Sequence, residues 1–243
     1  MQNHTKSNRT THTTVGLIPA RWHSTRFEGK PLAEIDGVPM IKRVYDRVKL
    51  CKELDTVVVL TDDKRIYNYC LGLTMPVEMI VDAVRTGTDR CAKAVEFING
   101  DIFVNIQGDE PLINPDSIDS LIQSHTGCVS NAYVTIDENY KLHDKNVVKV
   151  SIDKESYAKN YSRVPIAYRS SPKQQLGLYV FDRAMLELFP KLPIGKKEQE
   201  TSVEMYRFVE NGIRVKMVEV DDEGLSVDTI EDLKRVEEYI INV

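Results

Sequence analysis

No two cysteines in this sequence stand close enough to form a motif. The four, Cys51, Cys70, Cys91 and Cys128, are scattered and make no CxxC, so neither a zinc site nor a redox pair is suggested, and reduced, mostly buried thiols are expected. No run approaches the roughly 18 apolar residues of a membrane span, and the opening "MQNHTKSNRTTHTT" has no apolar stretch for a signal peptide. A cytoplasmic chain with no membrane partner is therefore expected. A basic excess is missing as well. The net charge of −5 excludes a general nucleic-acid binder and makes any local cluster of cations a site. GxGxxG and GxxxxGK followed by Ser or Thr are both absent, which removes the dinucleotide-binding and P-loop readings. With no internal repeat and no low-complexity linker, the 243 residues read as a single domain over 15–243. Ahead of it, 1–14 is polar and aperiodic and is expected to be a disordered tail.

What is present is alternation. "VGLIPA" (15–20), "DTVVVLT" (55–61), "VEMIV" (77–81) and "DIFVNIQ" (101–107) are short and nearly continuously apolar. Between them, "PMIKRVYDRVKL", "DDKRIYNYCL" and "TDRCAKAVEFI" read as helices, the first with Met40, Ile41, Val44, Tyr45 and Val48 on one face. Strands apolar throughout and separated by helices are covered on both faces. This predicts an α/β fold with a doubly wound, mostly parallel sheet. Ligands of such sheets collect at the carboxyl ends of the strands, where the loops 19–31, 82–90 and 107–111 fall. Beyond Pro111 the pattern loosens. After a helix at "SIDSLIQSH", strands are expected at "VSNAYVTI", "VVKVSID", "YAKNYSRVPIAY" and "QLGLYVFD" with little helix between them, giving a mixed-sheet extension. A helix over "KKEQETSVEMYRFVENG" with a glycine cap, a strand at "IRVKMVEV" and a helix at "TIEDLKRVEEYI", with Ile230, Leu233, Val236 and Ile240 inward, close the chain.

The loop after the first strand, "IPARWHSTRFEGKPL", is rich in cations: Arg21, Arg26 and Lys30 accompany a single anion, Glu28. Such a loop at the sheet edge suits phosphate; it also fits a solvated turn whose charges only keep the surface soluble. Two carboxylates bear on the choice. Asp109 in "NIQGDEP" follows a buried strand, with Gly108 allowing a sharp bend, and Asp228 in "LSVDTIEDL" stands at a strand end before a helix. Acids at strand ends suit Mg²⁺, which takes one or two carboxylates, waters and substrate phosphate. Each also has a plainer role: Asp228 with Glu231 fits a capping box, and Asp109 could open the turn before Pro111. A cation loop and two acids at one sheet edge are the inventory for nucleotidyl transfer. A glycosyltransferase with the same nucleotide-binding half would carry Asp-x-Asp after the fourth strand, where this chain has Gly-Asp-Glu.

From about Val15 to its end the chain resembles the CMP-KDO synthetases, the 3-deoxy-manno-octulosonate cytidylyltransferases. The resemblance rests on "IPARWHSTRFEGKPL", "GVPMI", "TGTDR", "NIQGDEPLI", "NVVKV", "YSRVPI", "QLGLY" and "VDTIEDL" in order. It implies a nucleotide-diphospho-sugar transferase fold of GT-A-like, Rossmann type, a homodimer, and condensation of CTP with an acidic sugar by direct attack of its anomeric hydroxyl on the α-phosphorus. Carried onto this sequence, Arg21 and Lys30 would hold the triphosphate. Leu17, Pro19 and Ala20 would present backbone to the nucleotide, Arg85, Thr86 and Thr88 would lie along cytosine and ribose, and Gln107 would help seat it. Asp109 and Asp228 would carry Mg²⁺, and no general base is implied, since His23 reads as a solvated loop residue. Trp22 reads equally as a cover for the base and as a cap on the sheet edge. Arg163, Gln175, Tyr179, Glu204 and Arg207 would meet the acceptor. Here the chain departs from the family: HLGxY becomes Gln175-Leu176-Gly177-Leu178-Tyr179, and Leu-Glu-Gln-Leu-Arg becomes Val203-Glu204-Met205-Tyr206-Arg207. The acceptor is expected to be KDO or a modified form such as its 8-amino derivative, with another ulosonic acid or a small phosphonate or polyol-type metabolite as the alternative.

Overall fold

The computed structural model describes residues 12–167, 171–222 and 225–242. Strand β1 (Thr14–Ala20) leads through the cation loop to a hairpin of β2 (Glu34–Ile35) and β3 (Val38–Pro39) and into helix α1 (Met40–Val48). The hairpin turns on Asp36 and Gly37, both at positive φ, the Asp-Gly pairing that tight hairpins favour. Then β4 (Thr56–Thr61), α2 (Lys64–Gly72), β5 (Val77–Met79), α3 (Gly87–Ala94), β6 (Ile102–Ile106) and α4 (Pro115–Gln123) complete the alternation. The second half runs β7 (Val129–Thr135), α5 (Asn139–His143), β8 (Lys149–Ile152), β9 (Ala158–Ser162), β10 (Lys173–Asp182), α6 (Arg183–Leu188), α7 (Lys196–Thr201), α8 (Tyr206–Glu210), β11 (Lys216–Glu219) and α9 (Ile230–Asn242).

The main sheet has the order β11-β7-β10-β6-β1-β4-β5, with β8 and β9 attached at β10. From β6 to β5 the pairs are parallel; β10 runs antiparallel to both β6 and β7, and β11 is parallel to β7. The sheet is thus doubly wound and parallel in its first half and mixed in its second. β1 is buried along its whole length, as a central strand covered on both faces must be. Val15 and Leu17 pack into one core cluster with residues of α3, α6 and α8, while Ile18 and Ala20 pack into the other with residues of α1, α2 and α4. A smaller cluster of Ile35, Met40, Val227 and Val236 joins the β2–β3 hairpin and the first residue of α1 to the segment before α9 and to the middle of that helix.

The structure shifts some boundaries. The first strand begins at Thr14, and Thr13 already donates its N–H to Asp101 Oδ2 at 2.8 Å; residues 1–11 of the expected tail lie outside the described residues. The helix expected over 196–212 is broken, because Ser202 turns left-handed at φ 56°. Its glycine cap is realised: Gly212 sits at φ 78°, with its N–H on Val209 O and that of Ile213 on Phe208 O, the paired bonds of a Schellman ending. Ile230, expected inward, is 51% exposed at the first turn of α9. The end of the strand expected over 157–168 shortens to Ser162, and Tyr168 is outside the described residues. Helices α5 and α6 are additions to the predicted pattern.

Candidate active site

A cavity of about 560 Å³ opens at the carboxyl ends of β1 and β6. Its base follows from two glycines. At Gly108 a side chain would put Cβ 2.9 Å from Pro19 O, and at Gly87 it would press on Pro19 and on the Gln107 amide. Absence of Cβ lets the chains after β1, β5 and β6 come together. Gly177 on β10 is tighter still, with Gln107 Cγ 2.5 Å and Glu110 Oε1 2.7 Å from a notional Cβ. Glu110 Oε1 accepts the Gly177 N–H at 3.0 Å.

Lys30 opens a short 3-10 turn, Lys30–Leu32, and its ammonium reaches across the cavity floor. It donates to Asp109 Oδ2 at 2.7 Å, to Val227 O at 2.7 Å and to Asp228 Oδ1 at 3.4 Å. Val227 N–H in turn donates to Asp109 O at 2.8 Å. Three stretches far apart in sequence are therefore tied at one cation. Asp228 does not end a strand as expected; β11 stops at Glu219. Nor does it cap α9: Thr229 accepts from Asp232 N–H at 3.1 Å and donates to Asp232 Oδ2 at 2.9 Å. With Thr229 and Asp232 serving the helix, the Asp228 carboxylate faces the cavity, where Arg26 also pairs with it at 2.9 Å. Arg26 then spans the mouth to Asn146 Oδ1 at 2.6 Å. Arg21, Arg26, Lys30, Arg85 and Arg163 line the cavity together with acids that include Asp109, Glu110, Glu204 and Asp228, so it offers cations to a polyanion and carboxylates to a cation.

On the far wall, Thr86 caps α3 in a capping box with Asp89. Glu204 Oε2 accepts the Thr88 N–H at 3.1 Å, and burial raises its pKa above the usual carboxylate value. Gln175 Nε2 donates to the Tyr179 hydroxyl at 2.8 Å. Burial, with the Glu204 charge adding to it, pushes the Tyr179 phenol well up. Arg163 donates to Thr201 O at 2.6 Å and Lys145 O at 3.0 Å, and burial lowers its pKa.

The chain matches the family described as Cytidylyltransferase over residues 15–238. It belongs to that family. The 3-deoxy-manno-octulosonate cytidylyltransferase, mitochondrial, of Arabidopsis thaliana is 39% identical over 236 residues, spanning 92% of this chain and 81% of the relative. The 3-deoxy-manno-octulosonate cytidylyltransferase of Geotalea daltonii is 40% identical over 246 residues, spanning 93% of this chain and 97% of the relative. Among solved structures, a CMP:2-keto-3-deoxy-manno-octonic acid synthetase complexed with CTP superposes with a TM-score of 0.88 at 31% identity, covering 95% of this chain and 99% of that one. These matches place the chain with the 3-deoxy-manno-octulosonate cytidylyltransferases and make it a nucleotidyltransferase.

In this cytidylyltransferase the expected site residues divide in two. Pro19, Ala20, Arg21, Lys30, Arg85, Thr86, Gln107, Asp109, Arg163, Gln175, Tyr179, Glu204 and Asp228 all line the one cavity. Leu17, Thr88 and Arg207 are not on its wall. Leu17 is fully buried in the β1 core, and Thr88 is buried beneath the wall, accepting from Asn105 Nδ2 at 3.0 Å. Arg207, expected at the acceptor, is 2% exposed. Its guanidinium pairs with Asp89 at 2.6 Å and Glu198 at 2.5 Å and lies 4.0 Å over the Phe189 ring. A cation so far from water needs paired carboxylates, so it braces the wall from behind. Met205 is likewise fully buried in the core and faces no acceptor. His23 keeps a side chain 86% exposed.

Sequence reasoning counted Arg26 among the loop's cations and Gly177 within a motif without giving either a role, and it passed over Glu110 and Glu198. Arg26 and Glu110 stood inside stretches already singled out, one position or a few from assigned residues. Gly177 meets Glu110 from 67 positions away; Glu198 meets Arg207 only nine positions on, but across the break at Ser202, which an unbroken helix would not place so.

Proposed function

We propose that this chain transfers CMP from CTP to the anomeric hydroxyl of 3-deoxy-manno-octulosonate and releases pyrophosphate. The observation that carries this reading is the meeting of Arg21, Lys30, Asp109 and Asp228 on one cavity, with a single ammonium touching both acids. The hydroxyl oxygen forms the new bond to the α-phosphorus as the bond to the β-phosphate bridge breaks. Pyrophosphate leaves with the electron pair, and the hydroxyl proton passes to solvent. Arg21 and Lys30 complement the charge that gathers on the leaving group. Pro19, Ala20, Thr86 and Gln107 border the nucleotide, and Arg163 offers charge to the acceptor's carboxylate. Tyr179, its oxygen accepting from Gln175, keeps its own proton to donate to a sugar oxygen.

The acids also fit a divalent cation. Among the described residues no group of three or more His, Cys, Asp or Glu converges on a metal position, and Mg²⁺ does not need one, preferring one or two carboxylates with phosphate oxygens and water. Asp109 and Asp228 supply that pair, and the Lys30 ammonium between them is a stand-in cation. When bound there, Mg²⁺ would neutralise phosphate charge and lower the pKa of the attacking hydroxyl. The family resemblance supports a homodimer, to be tested by sedimentation, and unpaired cysteines among the described residues support a cytoplasmic setting.

The test is pyrophosphate release from CTP with Mg²⁺, offered 3-deoxy-manno-octulosonate, its 8-amino form and other anionic acceptors in parallel. Release with the octulosonate at a rate near the best acceptor's is expected. No release with it would overturn the assignment.

A further inference from the structure

The cation loop has a neck. Trp22 O accepts the Gly29 N–H at 3.0 Å, and Gly29 lies at φ 70° with a notional Cβ 2.9 Å from the Trp22 ring. Any side chain at Gly29 would therefore push the indole away. Arg21 directly precedes this neck and Lys30 directly follows it, so both cations assigned to the triphosphate depart from one closed point. The indole is held on its edge and on its face: Trp22 Nε1 donates to Glu28 Oε1 at 3.1 Å, and the Arg65 guanidinium lies 3.4 Å above the ring centroid. Arg65 is itself fixed. Its Nε and Nη2 donate to the two oxygens of Asp63, at 2.9 and 2.7 Å, and Asp63 caps α2 by accepting the Arg65 N–H at 2.8 Å. The hydrogen bonds from Arg65 hold the Asp63 carboxyl down at about 2, so the fork stays ionised at any working pH. Asp63 N–H donates to Thr61 Oγ1 at the end of β4 at 3.2 Å, which connects the clip to the sheet.

We propose that Arg65, which is absent from the cavity wall, is a positioning residue for triphosphate binding: forked onto Asp63 at the start of α2, it stacks on Trp22 and sets the neck from which Arg21 and Lys30 leave. The inference rests on reading the cavity as the CTP site. It also gives Trp22 a role distinct from covering the base. Planar stacking and a bidentate carboxylate are together something arginine does and lysine does only in part.

Trp22 is the sequence's one tryptophan, so its emission reports the neck directly. Arg65→Gln is expected to change that emission in the free protein and to weaken CTP binding about two- to fivefold, the size of one lost solvent-facing stacking contact. KM for CTP should rise in step and kcat should fall modestly with it, because Arg21 and Lys30 also meet the charge on the leaving pyrophosphate, while KM for the sugar acid stays at the parent's value. Arg65→Lys should recover part of the loss. By calorimetry, Trp22→Leu should weaken CTP binding similarly, and adding Arg65→Gln to it should cost nothing more, since the two act through one contact. Unchanged CTP affinity in Arg65→Gln, full additivity of the two substitutions, or a joint fall in sugar-acid affinity and melting temperature would each overturn the proposal. A parent protein that ignores CTP would instead overturn the reading of the cavity beneath it.

Discussion

Lys30 touches both aspartates, so either acid can be neutralised while the ammonium keeps a partner. Asp109→Asn and Asp228→Asn are each expected to lower turnover with Mg²⁺ by about a hundredfold or more, with melting temperatures close to the parent's; equal activity in both variants would remove these residues from the chemistry. Glu110 behaves differently. Burial first, then the charges of Asp222 and Asp109, lift its pKa from the ordinary 4.5 to about 8, against a smaller opposing effect of the Gly177 N–H. The native state thus holds a proton that the unfolded chain has released, and stability from this group is full below pH 4.5 and is lost as pH rises through about 8. Glu110→Gln, which keeps the carbonyl for Gly177, should melt like the parent at pH 4.5 and above it at about pH 9. Thermal melts at the two pH values check this. At this scale, residue type revealed the cations and acids in the sequence. The raised Glu110 did not show, since its burial is completed by Gly177, 67 positions away. Asp228 was legible as an acid but ambiguous in duty, because a capping pair one position along, Thr229 with Asp232, takes the helix end.

Strand β10 forms part of the cavity wall, and its pairing with β7 slips between Gln175 and Tyr179. Gly177 lies in that irregular stretch and lets the strand pass against Gln107 and Glu110. Gly177→Ala is expected to destabilise the protein by about 1–3 kcal/mol through overpacking and to weaken CTP binding by displacing Gln107. A variant with parent-like melting and parent-like CTP affinity would contradict the close approach. Elements of this kind mark how far the pattern could be read. β1, β4 and β6 announce themselves as apolar runs because both their faces are covered, and α1 by its periodic face. The break at Ser202 left no trace, since a serine at positive φ looks like any other serine in a helical stretch. Arg207 was assigned to the acceptor on resemblance; its pairing with Asp89 spans 118 positions, and nothing local in the sequence displays it.

The molecule as a whole is acidic, with a net charge of −5, yet its cavity gathers Arg21, Arg26, Arg85 and Arg163 around Lys30. If these cations meet the triphosphate as proposed, its affinity rests on individual ion contacts inside a molecule that repels anions overall. KM for CTP is expected to rise with ionic strength across the range where the Debye length falls from about 10 Å at 0.1 M to about 3 Å at 1 M, while KM for the singly charged sugar acid rises less; identical salt dependence for the two would contradict the division of charge. The parallel half of the sheet was legible from alternation alone. The placement of β10 between β6 and β7 was not, because antiparallel insertion is decided by which edges remain after the winding is complete. Finally, the tie among Lys30, Asp109 and Asp228 has a consequence for biosynthesis. Asp228 is translated 198 residues after Lys30, when every strand of the main sheet has already been made. A nascent polypeptide therefore holds the ammonium and the first acid well before the second acid emerges to join them.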